Sequence, residues 1–338
     1  MIRPYACFFS AAALIALSLP ASQLMAQTQV PAAPPQGQPG TTSTMPAPPA
    51  PAPQAPVFPK PNPSNFTATT PTADTVNAFL TANWGYDTSR MWQVQAIMKT
   101  EVEGLSKVIV FVGDKTGKEK PSALEFFVLP DGKHIITGDQ VLPFGEHPFA
   151  DLRAEMQQRA DGPYRGSASK DIELVEFADF QCPHCKEAQA NMDKLLADFP
   201  KAHIVFQNDP IPSIHPESML AAQYGVCVAK AGGSTAFFQF ASAVFDGQDG
   251  LSTPDGATLT LNSAATKAGQ DPAKISACAA DPQTKVAVET SRTMAEEIGV
   301  NEVPTLVING REVPANIPYD TLKQIIEYQA KMDGVALQ

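Results

Sequence analysis

Hydrophobic positions change their spacing along this chain, and each spacing predicts an element. Ala73, Val76, Phe79 and Leu80 recur at helical intervals, which predicts an amphipathic helix from about Thr72. Val108-Ile109-Val110-Phe111-Val112 is an unbroken β-branched and aromatic run, which predicts a strand. Leu124 to Leu129 and Lys133 to Thr137 flank Pro130-Asp131-Gly132, whose Asp-Gly pair favours positive φ in a hairpin turn. Phe149 to Arg159 reads as a connecting helix stopped by Asp161-Gly162-Pro163. Together these elements predict a small α+β module over residues 65–165.

From residue 166 to 338 the pattern becomes α/β. Ile172 to Ala178 predicts a buried strand that runs into a loop carrying Cys182. Ala188, Met192, Leu195, Leu196 and Phe199 then mark the core face of a helix, and His203-Ile204-Val205-Phe206 is the next strand. This β-α-β unit places Cys182 at the carboxyl end of its first strand, where active groups gather in α/β folds. Residues of about 214–299 predict a helical insertion, with Asp271-Pro272 and Asp281-Pro282 as helix starts. Strand character returns over Val303 to Ile308, Asn309-Gly310 turns the chain into Arg311-Glu312-Val313, and a helix over Tyr319 to Lys331 follows.

The first 64 residues lack such patterning. Arg3, the apolar run from Cys7 to Leu19 and the small residues ending at Met25-Ala26 predict a secretory signal peptide over residues 1–26. The apolar run is short for a membrane span, and an uncleaved anchor is the alternative. Residues 27–64 are rich in Pro and Ala and predict an extended, disordered tether, with docking of a proline-recognising partner as the alternative. Export implies an oxidising compartment, the periplasm, where disulfides persist.

The chain of 338 residues carries a formal charge of −11, and loss of residues 1–26 removes only Arg3, giving −12. That balance offers no basic footprint for nucleic acid or an anionic membrane surface. Four cysteines remain beyond the signal: Cys182, Cys185, Cys227 and Cys278.

Cys182-Pro183-His184-Cys185 carries the chemistry. Two cysteines three residues apart can close a disulfide across one helical turn, yet so short a loop constrains little in the unfolded chain. Its value is therefore chemical: one thiol attacks a foreign sulfur and the other displaces the mixed disulfide. At a helix start, unpaired N–H groups and the dipole stabilise the Cys182 thiolate. Pro183 costs nothing in a first turn, and His184 adds a donor and a partial positive charge. Cys185, one turn inside, is the less exposed, resolving thiol. Glu176, on the strand face of Ile172 and Leu174, is a candidate buried acid with a raised pKa that relays a proton to Cys185. A strand-edge carboxylate reaching water is the bland alternative. Pro304 needs an unusual setting at the start of a strand, and a cis Val303–Pro304 bond there would leave the Val303 backbone free for an incoming peptide.

Val175 to Cys185, the helical insertion and Gly299-Val300-Asn301-Glu302-Val303-Pro304-Thr305 together resemble the DsbA-like branch of the thioredoxin superfamily. The resemblance implies a thioredoxin fold with an inserted helical domain and a protein thiol:disulfide oxidoreductase. In it Cys182 is the nucleophile, Cys185 the resolving cysteine, Glu176 the buried acid and Pro304 a cis-proline. It also implies a structural disulfide between Cys227 and Cys278. No cofactor and no metal are implied; the partners are thiol-containing secreted proteins and a membrane redox partner protein. Phe126 to Gly138 resembles the dimerisation domain of DsbC-type isomerases, which implies a homodimer through the N-terminal module. The site departs from those isomerases, with Pro-His between its cysteines and Val303 before the proline.

Other residues have bland readings. His134 falls in a hairpin strand, and His147 and His203 fall near element ends in surface or capping roles. The sequence leaves His215 unplaced. Trp84 and Trp92 read as core or interface anchors. Three functions stay open: an oxidase donating the Cys182–Cys185 disulfide, a dimeric isomerase or reductase, and a chaperone that no longer cycles its cysteines.

Overall fold

Alternation of buried and half-buried residues builds the first sheet of the molecule. The computed structural model describes residues 56–117 and 120–337; the expected signal peptide and most of the expected tether lie outside them. Thr72 caps helix α1 (Ala73–Trp84) by accepting the Thr75 N–H. Strands β1 (Arg90–Lys99), β2 (Ser106–Asp114), β3 (Ser122–Val128), β4 (His134–Thr137) and β5 (Gln140–Pro143) then form an antiparallel meander in that order. Val76, Phe79 and Leu80 of α1 pack on Val94, Ile97, Val108, Val110, Phe126 and Ile135 of the sheet. Gly132, at φ 66°, makes the β3–β4 turn possible, with Asp131 accepting the Lys133 N–H at 2.8 Å. Strand β1 was missed by periodicity because its outer half is only half-buried.

Two boundaries differ from expectation. The proline-rich stretch is already packed by Pro56: Phe58 stacks edge-on against Phe111 at 6.2 Å, and Gln95 donates to the Pro59 carbonyl at 3.1 Å. One aromatic ring and a side-chain amide supply what a proline backbone cannot make for itself, so the tether ends before residue 64. Helix α2 (Ala150–Arg159) does not simply connect. Met156 and Ala160 pack on the second sheet, which places the seam between the two sheets near residue 145 instead of 165.

That second sheet has the order β10-β9-β7-β8-β6, formed by β6 (Tyr164–Gly166), β7 (Ile172–Ala178), β8 (Ala202–Asn208), β9 (Thr305–Ile308) and β10 (Arg311–Pro314). β7 and β8 are parallel and buried along their whole length, as central strands covered on both faces are. Helices α3 (Pro183–Asp198) and α8 (Tyr319–Met332) cover one face. α2 and α7 (Pro282–Ile298) cover the other. Between β8 and β9 the chain forms α4 (Ser218–Asp246), α5 (Pro254–Lys267), α6 (Pro272–Ala279) and α7. Asp271 and Asp281 cap α6 and α7 as their Asp-Pro pairs predict. α4 breaks direction at Gly233, whose φ of 71° only glycine adopts freely.

Arg311 stitches the two sheets together. It is 5% exposed, and its guanidinium donates to the Ala82 and Asn83 carbonyls at the C-terminus of α1 and to Gln329 of α8. Its plane lies 4.1 Å from the Phe149 ring, and burial draws its pKa down to about 10. A cation at a helix C-terminus is matched both to the orphan carbonyls and to the dipole.

His203 contradicts the surface role expected for it. It is buried inside β8, which begins one residue earlier; it bonds the Ser167 carbonyl through Nδ1 at 2.7 Å and lies against Tyr164 of β6. His134 pairs with Asp131 and His147 is exposed. Trp84 and Trp92 meet edge-on at 6.0 Å on the margin of the first core.

Cys227 of α4 and Cys278 of α6 are joined by a disulfide that spans 51 residues. A loop of that length predicts that replacing both by alanine lowers stability by about 2–4 kcal/mol. Urea unfolding of the oxidised protein measures this, and an unchanged midpoint would show that the bridge does not hold the insertion.

Candidate active site

The site forms where β7 gives way to α3. The chain turns over Asp179 to Gln181, the Cys182 N–H donates to the Asp179 carbonyl at 3.1 Å, and Cys182 becomes the N-cap residue of α3. Pro183 follows in the first turn, where its missing N–H has no helical acceptor to serve. One turn on, Cys185 is fully buried; Cys182 is 5% exposed. Both are free thiols.

Their environments act in opposite directions. A hydrogen bond from the Cys185 thiol is the largest influence on Cys182; burial opposes it, and backbone N–H groups of Cys185 and His184 and the charge of His215 add to it. The Cys182 pKa falls to about 6. Burial, then the Cys182 thiolate, pushes Cys185 far above the ordinary thiol range. His184 serves the thiolate through its backbone N–H, and its exposed imidazole, which pairs with Glu187 at 3.1 Å, also feels the Cys182 charge.

Val303 and Pro304 close the other side. The Val303–Pro304 peptide is cis, and the Val303 carbonyl lies 3.8 Å from the Cys182 Sγ. Pro304 therefore precedes β9 instead of joining it, and the strand expected from Val303 starts at Thr305. Residues 121 apart in sequence meet here because β7 and β9 are hydrogen-bonded neighbours.

Glu176 is 1% exposed on the face of β7 beneath α3, where Gln189 donates to its Oε1 at 2.7 Å. Burial raises its pKa to about 7, against the opposing effects of Arg165 and the Gln189 hydrogen bond. Arg165 of β6 reaches Asp193 of α3 at 2.7 Å, covered by the Phe238 ring. Its Nε and Nη2 are buried without a hydrogen-bond partner among the described residues.

Several polar residues that periodicity does not mark hold this loop. Gln248 donates to the Phe180 and Cys182 carbonyls, each at 2.9 Å, and Gln181 donates to the Leu251 carbonyl at 2.8 Å. Phe180 anchors the loop among Phe206, Phe237, Phe240 and Phe245. His215, left unplaced by the sequence, lies with its Nδ1 2.8 Å from the carboxylate of Asp179. The signal available in advance was an acid three residues before the first cysteine. Cys227 and Cys278 lie apart from the site as a separate bridge. Among the described residues no group of three or more His, Cys, Asp or Glu is placed to hold a metal ion.

Residues 158–328, half of the chain, match the family model described as Thioredoxin. Curated proteins that match include the Na(+)/H(+) antiporter NhaA 3 of Salinispora tropica, 27% identical over 147 residues, which are 44% of this chain and 21% of that protein. The Na(+)/H(+) antiporter NhaA 1 of Mycolicibacterium vanbaalenii is 30% identical over 149 residues, 43% and 23% of the two chains. This chain thus spans about a fifth of the length of the curated relatives it matches. Among solved structures, a periplasmic thioredoxin-like protein from Salmonella enterica serovar Typhimurium aligns at 21% identity and a TM-score of 0.45, over 53% of this chain and 96% of that one. BdbD from Bacillus subtilis, in its oxidised form, aligns at 22% identity and a TM-score of 0.44, over 50% and 93%.

The Glu176 environment predicts a pH-dependent stability difference. A carboxyl whose pKa rises on folding from 4.5 to about 7 stabilises the fold fully below 4.5, and that contribution is lost as pH rises through 7. Glu176→Gln, neutral at every pH, should match the parent near pH 4 and exceed it near pH 8 by up to about 3 kcal/mol. Urea unfolding at the two pH values measures it; a difference independent of pH would mean that Glu176 does not titrate in this window.

Proposed function

The chain belongs to the thioredoxin family, and from that premise we propose that it is an exported thiol:disulfide oxidoreductase that donates a Cys182–Cys185 disulfide to folding secreted proteins. One observation carries the proposal: two free thiols one helical turn apart, Cys182 at the head of α3 beside the Val303 carbonyl and Cys185 sealed in the core. A substrate thiolate attacks the Cys182 Sγ, the Cys182–Cys185 bond breaks, and Cys185 leaves with a proton drawn from Glu176. The second substrate thiolate then attacks its own mixed-disulfide sulfur and releases Cys182 as the thiolate. The substrate is oxidised by two electrons and the protein reduced by two. A membrane redox partner protein restores the disulfide. Because the thiolate form of Cys182 is stabilised, the reduced protein is favoured and the disulfide is a strong oxidant. Val303, with its carbonyl beside the attacked sulfur, pairs with the backbone of the incoming peptide.

The signal-like N-terminus and the Cys227–Cys278 bridge support an oxidising compartment, the periplasm. The antiport named for the curated relatives is not carried over. Among the described residues no helix is long and apolar enough to cross a membrane, and the match spans about a fifth of those proteins.

A second reading, a dimeric isomerase, is favoured by β5. All four of its residues are exposed, Val141 and Leu142 included, and its outer edge has no strand partner in the sheet. Equilibration with glutathione separates the two. The oxidase should show a reduction potential nearer about −120 mV than about −270 mV, and Cys182→Ser should abolish exchange. A potential near the lower value, with a dimer in light scattering and recovery of scrambled ribonuclease, would replace the first reading with the second.

A further inference from the structure

Asp179 touches both cysteines through its backbone. Its carbonyl accepts the Cys182 N–H at 3.1 Å, and its N–H donates to the Cys185 Sγ at 3.4 Å. Its carboxylate is wholly buried. Oδ1 accepts the Gln181 N–H at 2.7 Å; Oδ2 accepts the Ile211 N–H at 2.8 Å and meets His215 Nδ1 at 2.8 Å. His215 is itself held: its N–H donates to the Ile211 carbonyl at 2.9 Å, and its carbonyl accepts the Ser218 N–H at the start of α4. Pro210, Pro212 and Pro216 restrict the turn that presents it.

The charges around the pair come from four elements. Cys182 lies at the head of α3. Asp209, after β8, is mostly buried, and burial together with the Asp179 charge holds its carboxyl up to about 6. Arg292 of α7 attracts Asp209, Glu296 of α7 repels it, and Glu217 follows His215 on its own turn. A buried carboxylate beside a second acid and a thiolate needs a cation, and His215 is a group able to carry a positive charge in hydrogen-bond contact with it.

Resting on the exchange chemistry above, we propose that His215 is a positioning residue of this site: as an imidazolium clamped by Asp179 it stabilises the Cys182 thiolate, and so strengthens the disulfide as an oxidant. The pairing explains how an acid three residues from Cys182 can be tolerated there. Asp179 alone would repel the thiolate, whereas the pair is neutral overall with its positive member acting on the sulfur, in the direction of the lowered Cys182 pKa. Only the reduced state gains, because the disulfide carries no charge. His215 therefore acts on the redox equilibrium as well as on the loop.

His215→Gln and His215→Lys in the full chain test this, with far-ultraviolet thiolate absorbance followed against pH. Gln should raise the Cys182 midpoint by about one unit from about 6. It should also weaken the equilibrium toward the reduced protein in glutathione about fivefold at about pH 7. Lys, which restores the charge without the ring, should keep the midpoint low. Equal shifts in both variants, or none in folded His215→Gln, would overturn the inference. A parent that fails to equilibrate with glutathione at all refutes the oxidoreductase reading instead.

Discussion

Two thiols a single helical turn apart are both denied solvent, and their surroundings favour charge on only one of them. The rest of the structure serves that inequality. β7 is buried end to end, so its carboxyl end delivers the chain to a fixed point. α3 begins there with a cysteine as its cap residue, and its free N–H groups lie at the sulfur of Cys182. Cys185 falls on the inward side of the same turn, against the core. Neither a longer spacing nor a helix started one residue later would divide the pair in this way.

The helical insertion does more than cover the sheet. Its aromatic residues grip Phe180, and Gln248 supplies hydrogen bonds to the carbonyls of Phe180 and Cys182 on either side of the turn into α3. A glutamine can do this without adding charge beside a thiolate. At the Asp179–His215 pair an acid comes together with a ring able to carry the opposite charge.

What could be read from the chain follows the range of each interaction. Cys182, Pro183 and Cys185 are legible because their geometry is set within one helical turn. β7 and the helices around it are legible because burial writes a long apolar period. Glu176 stands out as an acid inside such a run. The partners of these residues do not stand out. Asp179 and His215 are 36 residues apart, and Gln248 is 66 from Cys182; polar residues that bond backbone carbonyls carry no periodic mark. His203 reads as a surface residue because the groups that meet its ring, Tyr164 and the Ser167 carbonyl, lie in and just after a three-residue strand without an apolar run. Phe58 is the aromatic residue that marks the packed end of the proline tract.

The Arg311 cap changes what counts as a separable part. Its guanidinium is buried because carbonyls of α1, more than two hundred residues earlier, complete its hydrogen bonds. Gly310 beside it is pressed so close to the Phe149 carbonyl that a methyl group has no room. Excising the redox half at residue 165 would therefore strand a buried cation with its acceptors gone and strip α2 from the sheet it covers. The two sheets are thus held as one object, and a change at the end of α1 reaches the second sheet through a single arginine.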